Sequence, residues 1–239
     1  MPAGTARYRP RVDRAALAVF QRRLLAWFRR NGRDLPWRRT RDPYKILVSE
    51  VMLQQTQVDR VRGYYRSFLQ DYPTVRDLAA AHPARVRESW EGLGYYARAR
   101  NLHAAARMIA ERHGGRFPRR LEEMMTLPGV GRYTAGAVLS FAHEEAAPVL
   151  DTNVRRVLGR LFVRRKPASP ARLDRRLWAL AEAVIPRGRA WEFNQSLMDF
   201  GAAVCTARTP KCGRCPMRSI CASYSRLASV NTVPMEGKS

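Results

Sequence analysis

The spacing of apolar side chains is helical along most of the chain. Between Leu17 and Phe28, apolar residues recur at intervals of three and four with arginines opposite them, which predicts an opening helix that ends near Asn31-Gly32. Further helices, separated by Pro and Gly, are predicted over residues 44–70, 75–80, 84–91, 95–113, 119–126, 132–142, 151–162, 170–184 and 191–204. No strand-like alternation is found, so an all-α fold is predicted, and the polar tail is expected to be disordered.

The charge balance changes this picture from a generic helical protein to one that binds a polyanion. The sequence holds 44 Lys and Arg against 20 Asp and Glu, a formal net charge of +24. Only four of the basic residues are lysine, so GC-rich codon bias is an alternative source of the arginines, but it does not explain the shortage of acids. We therefore expect nucleic acid as the partner.

The hydrophobic content argues against a membrane partner. The sequence has no apolar run of the roughly 18 residues that a membrane span requires. Its N-terminal segment also lacks the apolar core of a signal peptide. A cytoplasmic protein is therefore expected.

All four cysteines lie in one C-terminal segment with the spacing C-x6-C-x2-C-x5-C: Cys205, Cys212, Cys215 and Cys221. Such clustering favours a ligand set over disulfides in a reducing compartment. Four thiolates can hold a [4Fe–4S] cluster or one zinc ion. Structural zinc sites usually have two close cysteine pairs, and here only Cys212 and Cys215 form one. The spacing favours iron–sulfur and leaves zinc open.

The segment LPGVGRYTA, residues 127–135, predicts a tight turn between two helices. Gly129 and Gly131, on either side of Val130, lack Cβ atoms and would let backbone amides approach a ligand. The N–H groups of the following helix point the same way, and a DNA phosphate fits such a site. A simple interhelical turn without a ligand is the alternative.

Two acidic residues stand out from this basic sequence. Glu50 lies within the apolar run of residues 46–53, where burial would raise the pKa of a carboxyl and allow it to act as a general acid. Alternatively, Ser49 and Glu50 mark the solvent face of a helix. Asp151 begins a predicted helix, either simply as its N-cap or also as a fixed anion beside a developing cation.

From about Leu35 to Cys221 the sequence resembles the helix-hairpin-helix DNA glycosylase superfamily, and most closely the adenine DNA glycosylases of the MutY type. The matching segments occur in family order: PWR, SEVMLQQTQV, EGLGYYARARNLH, LPGVGRYTAGAVLS, LDTNVRRVLGRLF, FNQSLMDFGAAVC and the four-cysteine loop. The resemblance implies a six-helix barrel domain at residues 31–142 and a cluster domain formed by residues 1–30 and 143–226. It also implies a [4Fe–4S] cofactor. The polar composition of residues 227–239, rather than the resemblance, predicts the disordered tail. Typical members continue into a domain that recognises 8-oxoguanine; only 18 residues follow Cys221, so that domain is expected to be absent.

The resemblance also implies roles for particular residues. Glu50 would protonate adenine, and Asp151 would stabilise the oxocarbenium-like sugar. Tyr133 would be hydrogen-bonded to the Glu50 carboxyl, and Asn153 would orient that carboxyl. Related enzymes of the endonuclease III type carry a lysine at the Tyr133 position that attacks the sugar, so a tyrosine there implies a monofunctional enzyme. The DNA contacts implied are Gln55, Tyr95, Gly129, Val130 and Gly131. The adenine pocket implied is Trp37, Arg38, Leu53 and Gln195.

The expected function is therefore hydrolysis of adenine from mispairs with guanine or 8-oxoguanine in double-stranded DNA, by a nucleoid-associated monomer. Two alternatives stay open at this point. One is a thymine or uracil glycosylase acting at mispairs with guanine. The other is a non-catalytic DNA-binding iron–sulfur protein.

Overall fold

The computed structural model describes residues 10, 12–165 and 167–230. The chain divides into two compact units, which we call the inserted unit (Asp34–Ala147) and the terminal unit (Met1–Arg33 with Pro148–Ser239). All regular elements of the described residues are helical, which confirms the all-α prediction. The division between the units falls a few residues later at each junction than the bounds that the resemblance implied.

The helices are best introduced in chain order. They are α1 (Arg14–Asn31), α2 (Pro43–Met52), α3 (Val58–Asp71), α4 (Val75–Ala80), α5 (Pro83–Glu88), α6 (Ala97–Arg112), α7 (Leu121–Met124), α8 (Arg132–His143), α9 (Thr152–Phe162), α10 (Pro170–Ala183), α11 (Ala190–Ala203) and α12 (Tyr224–Val230). Short 3-10 helices occur at Pro36–Arg38, Cys212–Arg214 and Arg218–Ile220. The inserted unit therefore has six α-helices of six residues or more, α2–α6 and α8, which agrees with the six helices that the resemblance implied, and the single turn α7.

The terminal unit is built around the apolar face of α1. This helix packs on α11, and α9 packs on both α10 and α11. Phe20 and Leu24 of α1 are fully buried. The Phe20 ring meets Phe162 and Phe193 edge-on at centroid distances of 5.2 and 5.8 Å, a favourable aromatic geometry. The apolar stripe of the opening helix thus forms core contacts with segments far along the chain.

In the inserted unit, α2 is the central helix. It packs against α3, α6 and α8, and every residue from 46 to 52 is buried. The helix begins where Asp42 accepts the Tyr44 N–H at 2.9 Å, with Pro43 in the first helical position. Ser49 is 0% and Glu50 3% exposed, so the alternative in which they mark a solvent face is wrong.

Two segments differ from the helices that the sequence predicted. The continuous helix over 44–70 is wrong, because α2 ends at Met52 and α3 begins at Val58, with Gln55 between them at a φ of 56°. The expectation of disorder from residue 227 is wrong for 227–230, which belong to α12. The rest of that expectation, residues 231–239, lies outside the described residues. Nowhere in the described chain is a helix both long and apolar enough to span a membrane.

Candidate active site

A buried carboxyl and a tyrosine hydroxyl meet inside the inserted unit. Tyr133, in the first turn of α8, donates its hydroxyl to Oε2 of Glu50 on α2 at 2.9 Å. Glu50 is 3% exposed, so its carboxyl is shielded from bulk water. The hydrogen bond fixes the orientation of a group that is well suited to deliver a proton. The structure thus brings together two of the predicted catalytic residues.

The hairpin before α8 uses its two glycines for different reasons. Gly129 has a φ of +74°, and a Cβ there would lie 2.6 Å from Cβ of Asn101, so both conformation and space require glycine. Gly131 has extended backbone, and nothing lies within 4 Å of the position a Cβ would take. Val130 is buried and its N–H donates to the Leu127 carbonyl at 3.1 Å. Val130 therefore supports the turn from inside, while Gly131 and the start of α8 form an open surface that suits an anion.

Three of the predicted base-pocket residues also lie on or against α2. Trp37 and Arg38 are buried in the 3-10 helix Pro36–Arg38, which packs on α2. The Trp37 ring meets Tyr65 edge-on at 5.5 Å. Leu53 is half-buried at the C-cap of α2, three residues after Glu50 and so on the same side of the helix. The fourth predicted residue, Gln195, is buried in α11 of the terminal unit.

In the terminal unit, Asp151 is the N-cap of α9, as expected from its place in the sequence. Its Oδ1 accepts the Val154 N–H at 2.6 Å and its Oδ2 accepts from Nδ2 of Asn153 at 3.0 Å. Burial raises the pKa of Asp151 above its ordinary 3.8, against the opposing influence of these two donors and of the Arg156 charge. The carboxylate is therefore oriented by a cap and a side-chain amide in partly dry surroundings.

Arg156 extends this network toward the cysteine loop. Its Nη2 donates to Oδ1 of Asn153 at 2.8 Å and to the Gly201 carbonyl at 2.7 Å. Its Nε donates to the Cys205 carbonyl at 2.7 Å. The sequence analysis missed Arg156, because one arginine among so many carries no distinguishing signal before the fold shows its partners.

The four cysteines line one pocket together with apolar residues of α9, α11 and α12. All four are half-buried free thiols. Burial, with a further contribution from the neighbouring thiols, raises the pKa of Cys215 to about 11, so a cationic group is needed to favour four thiolates here. In the described residues no three His, Cys, Asp or Glu side chains converge as ligands of a single metal ion. Four half-buried sulfur donors around one pocket fit the all-thiolate ligand set of a [4Fe–4S] cluster.

The two predicted wedge residues lie on exposed loops of the inserted unit. Gln55 is exposed between α2 and α3, and Tyr95 is 62% exposed just before α6. Both have positive φ, 56° for Gln55 and 50° for Tyr95. Arg98, which the sequence analysis did not single out, is buried beneath both loops.

In this chain a glycine-containing hairpin leads into a helix whose tyrosine contacts a buried acid, and a four-cysteine loop follows later. These features together define a class of helix-hairpin-helix protein. The chain belongs to the HhH-GPD superfamily of base excision DNA repair proteins, whose family profile matches residues 48–183. Residues 205–221 match the iron–sulfur binding domain of endonuclease III, which confirms the expected iron–sulfur cofactor and resolves the choice against zinc.

Named relatives agree with this family. The chain is 44% identical to the adenine DNA glycosylase of Homo sapiens over 90% of its own length and 41% of that protein. It is 46% identical to the adenine DNA glycosylase of Mycobacterium tuberculosis over 81% of its own length and 64% of that protein. The chain thus spans less than two thirds of these curated relatives.

Solved structures match over nearly their whole length. The structure of a thermostable thymine-DNA glycosylase is similar with a TM-score of 0.81 and 34% identity, covering 89% of this chain and 98% of that one. A trapped endonuclease III–DNA covalent intermediate is similar with a TM-score of 0.75 and 26% identity, covering 90% and 99%.

Proposed function

We propose that this protein is a monofunctional DNA glycosylase that hydrolyses the N-glycosidic bond of adenine mispaired with guanine or 8-oxoguanine. The observation that carries the proposal is the 2.9 Å hydrogen bond from Tyr133 to the buried Glu50 carboxyl. It supplies an oriented proton donor at a hairpin that suits a phosphate. The 38–46% identity to several curated adenine DNA glycosylases supports adenine as the base.

In this proposal Glu50 is the general acid. It gives its proton to the base as the bond between base and sugar breaks, and the bonding electron pair leaves with the base. The Tyr133 hydroxyl donates to Oε2 and so holds the carboxyl in one orientation. Water then adds to the sugar carbon, and the Glu50 carboxylate takes up the proton that this water releases. The acid is thereby restored at the end of the cycle.

Asp151 has the complementary task of remaining charged. Its carboxylate stabilises the positive charge that develops on the sugar as the base departs. The Val154 N–H and the Asn153 amide hold both its oxygens, so little reorganisation is needed when the charge appears. A [4Fe–4S] cluster would contribute structure to this unit by tying Cys205, Cys212, Cys215 and Cys221 into one loop.

Tyr133 supports the monofunctional part of the proposal. A phenol cannot form a Schiff base with the sugar, as the amine of a lysine in its place would. Treatment of an enzyme–DNA mixture with borohydride should therefore trap no covalent adduct. A stable adduct formed in good yield would contradict this part.

Binding to double-stranded DNA is the premise of the whole scheme. The net charge of +24 supports it, and the measured affinity should fall steeply with salt as counterions are released. Gln55, Tyr95, Gly129, Val130 and Gly131 are the proposed DNA contacts. Trp37, Arg38 and Leu53 of the inserted unit are proposed to contact the base. That the protein is a monomer stays a prediction, and sedimentation of the free and the DNA-bound protein is the measurement. Its association with the nucleoid also stays a prediction.

The deciding experiment is base release from four duplexes, carrying A opposite G, A opposite 8-oxoguanine, T opposite G and U opposite G. The first two should be processed. Glu50→Gln and Asp151→Asn should each abolish release while the affinity for DNA changes little. Binding without release by the unaltered protein would instead favour the non-catalytic alternative.

One observation favours a second candidate, a thymine or uracil glycosylase at mispairs with guanine. The structure of a thermostable thymine-DNA glycosylase is similar to this chain, with a TM-score of 0.81 and 34% identity. Release from only the T and U duplexes would replace the main proposal with this one.

A further inference from the structure

Arg98 is one of two buried arginines among the described residues, and its guanidinium contacts several backbone carbonyls. It lies in the first turn of α6 and is only 8% exposed, in a chain whose charged side chains are mostly at the surface. Burial lowers the pKa of its guanidinium, against a smaller influence of Tyr95 that raises it. A buried cation is retained only where its contacts offset the loss of hydration, so those contacts indicate its purpose.

One side of the guanidinium holds the loop between α2 and α3. Its Nη1 lies 3.2 Å from the Val51 carbonyl oxygen, 2.8 Å from that of Met52 and 3.1 Å from Oγ1 of Thr56, and it also contacts the Gln54 carbonyl. The two protons on Nη1 are shared among these four acceptors. Because the last carbonyls of a helix lack intrahelical donors, Arg98 both caps α2 and ties down the loop that follows.

The other side holds the loop before α6. Its Nη2 donates to the Leu93 and Gly94 carbonyls, each at 3.1 Å. The guanidinium carbon also lies 5.6 Å from the Trp90 ring centroid and 5.5 Å from that of Tyr95, within the range of cation–π contacts. A single planar group therefore joins two loops about forty residues apart in the chain.

Each of these loops carries an exposed tip in an unusual backbone conformation. Gln55 and Tyr95 are two of the three non-glycine residues with positive φ in the described chain. That conformation is sparsely populated for such residues and persists only where the surroundings impose it. Tyr95 is also one of two large hydrophobic side chains exposed among the described residues. An aromatic ring and an amide presented in this way suit contact with unstacked bases.

We propose that Arg98 is a positioning residue that holds Gln55 and Tyr95 as one rigid pair, so that both tips enter the base stack of the target DNA together. The inference rests on the proposed glycosylase function. Arginine is needed because its planar guanidinium donates in two directions at once, which the point charge of a lysine cannot do. Arg98 itself is buried and acts only through the two loops.

The first test compares Arg98→Lys with Arg107→Lys, a control on the same helix whose exposed side chain pairs with Glu111. In single-turnover assays on an adenine mispair, Arg98→Lys should slow base release about tenfold or more, because a small displacement of substrate-positioning groups is costly. Its affinity for an undamaged duplex should stay within about twofold, since a buried side chain offers no phosphate contact. Hydrogen–deuterium exchange should rise in both peptides, 51–57 and 92–96. Arg107→Lys should change none of these.

The second test reports insertion directly. A duplex with 2-aminopurine in place of the target adenine should become brighter when Glu50→Gln protein unstacks that base, and the rise should be much smaller with Glu50→Gln/Arg98→Lys. An unchanged rise, or exchange that increases in only one loop, would overturn the inference and leave Arg98 a simple structural tie. If Arg98→Lys does not fold, Thr56→Val can be tested instead, because it removes one hydrogen-bond acceptor of Arg98. Thr56→Val should also make the rise in 2-aminopurine fluorescence smaller, and an unreduced rise would count against the inference. Failure of the unaltered protein to release any base would instead contradict the proposed function.

Discussion

Gly201 offers the sharpest test of how Asp151 is held. It lies in α11, where its backbone touches the first turn of α9. A Cβ at this position would be 2.7 Å from Cβ of Asn153 and 3.1 Å from the backbone carbonyl carbon and oxygen of Asn153. Ordinary carbon–carbon contacts are about 3.5–4.0 Å, so Gly201→Ala must push Asn153 away by roughly 1 Å. None of these contacting atoms is the far end of a flexible side chain.

The size of the effect follows from what Asn153 does. Its amide reaches Asp151 at 3.0 Å, so a shift of this size breaks the hydrogen bond and turns the carboxylate. A misplacement of about 1 Å in a catalytic arrangement costs on the order of 100-fold in rate. The stability cost should be small, because overpacking of about 1–3 kcal/mol is partly offset by the roughly 1 kcal/mol that alanine gains over glycine in a helix.

The assay is single-turnover base release measured beside thermal unfolding. Gly159→Ala on α9 is the matched control, because its Cβ would meet only Leu177 at 4.0 Å, an ordinary contact. The control should release base at the unaltered rate and unfold at the same or a higher temperature. A normal rate for Gly201→Ala, or an equal loss in both variants, would refute the argument that this close contact positions Asp151.

Three further predictions concern the hairpin and the two acids. Gly129→Ala should destabilise the protein by more than about 1 kcal/mol, because residue 129 has a φ of +74° and a Cβ there has no room. Gly131→Ala should instead leave thermal unfolding nearly unchanged and weaken DNA binding. Equal effects of the two variants would contradict the structural role given to Gly129 and the DNA-contact role given to Gly131. Tyr133→Phe removes the 2.9 Å bond to the buried acid and should slow base release by roughly 10- to 100-fold at constant DNA affinity, while an unaltered rate would show the bond to be dispensable. The pKa of Asp151 is raised above 3.8 and its charged form is needed, so the rate of base release should fall as the pH decreases through that raised pKa. A rate that stays unchanged down to pH 3.8 would exclude Asp151 as the required anion.

Much of the fold was predictable because its signals are local. The start of α2 is specified by Asp42 and Pro43, and the hairpin by Pro128, Gly129 and Gly131, so these boundaries follow from cap and turn chemistry alone. The break between α2 and α3 was not predictable in this way. Its residues, Leu53-Gln54-Gln55-Thr56-Gln57, include neither Gly nor Pro, and the turn is held by an arginine far along the chain.

The candidate site shows the same division. Glu50, Asp151 and the cysteines could be proposed from residue type and spacing, but whether Glu50 was buried depended on packing that no single helix pattern fixes. The hydrogen bond between Tyr133 and Glu50 joins residues 83 apart in sequence. Arg98 and Arg156 were missed because a buried arginine and a solvated one look alike until their acceptors are known.

The inserted unit interrupts the terminal unit in the sequence, so α1 is synthesised well before the helices that pack on it. Helix α1 leaves the ribosome first, yet α9 and α11, which cover Phe20 and Leu24, are synthesised only after the whole inserted unit. Roughly 160 residues separate the end of α1 from the start of α11, and at about 5–20 residues per second this is a delay of roughly 8 to 30 s. During that time the apolar face of α1 lacks its native packing partners and stays exposed. Slowing translation should therefore increase aggregation of this protein more than that of one in which α1 follows its packing partners.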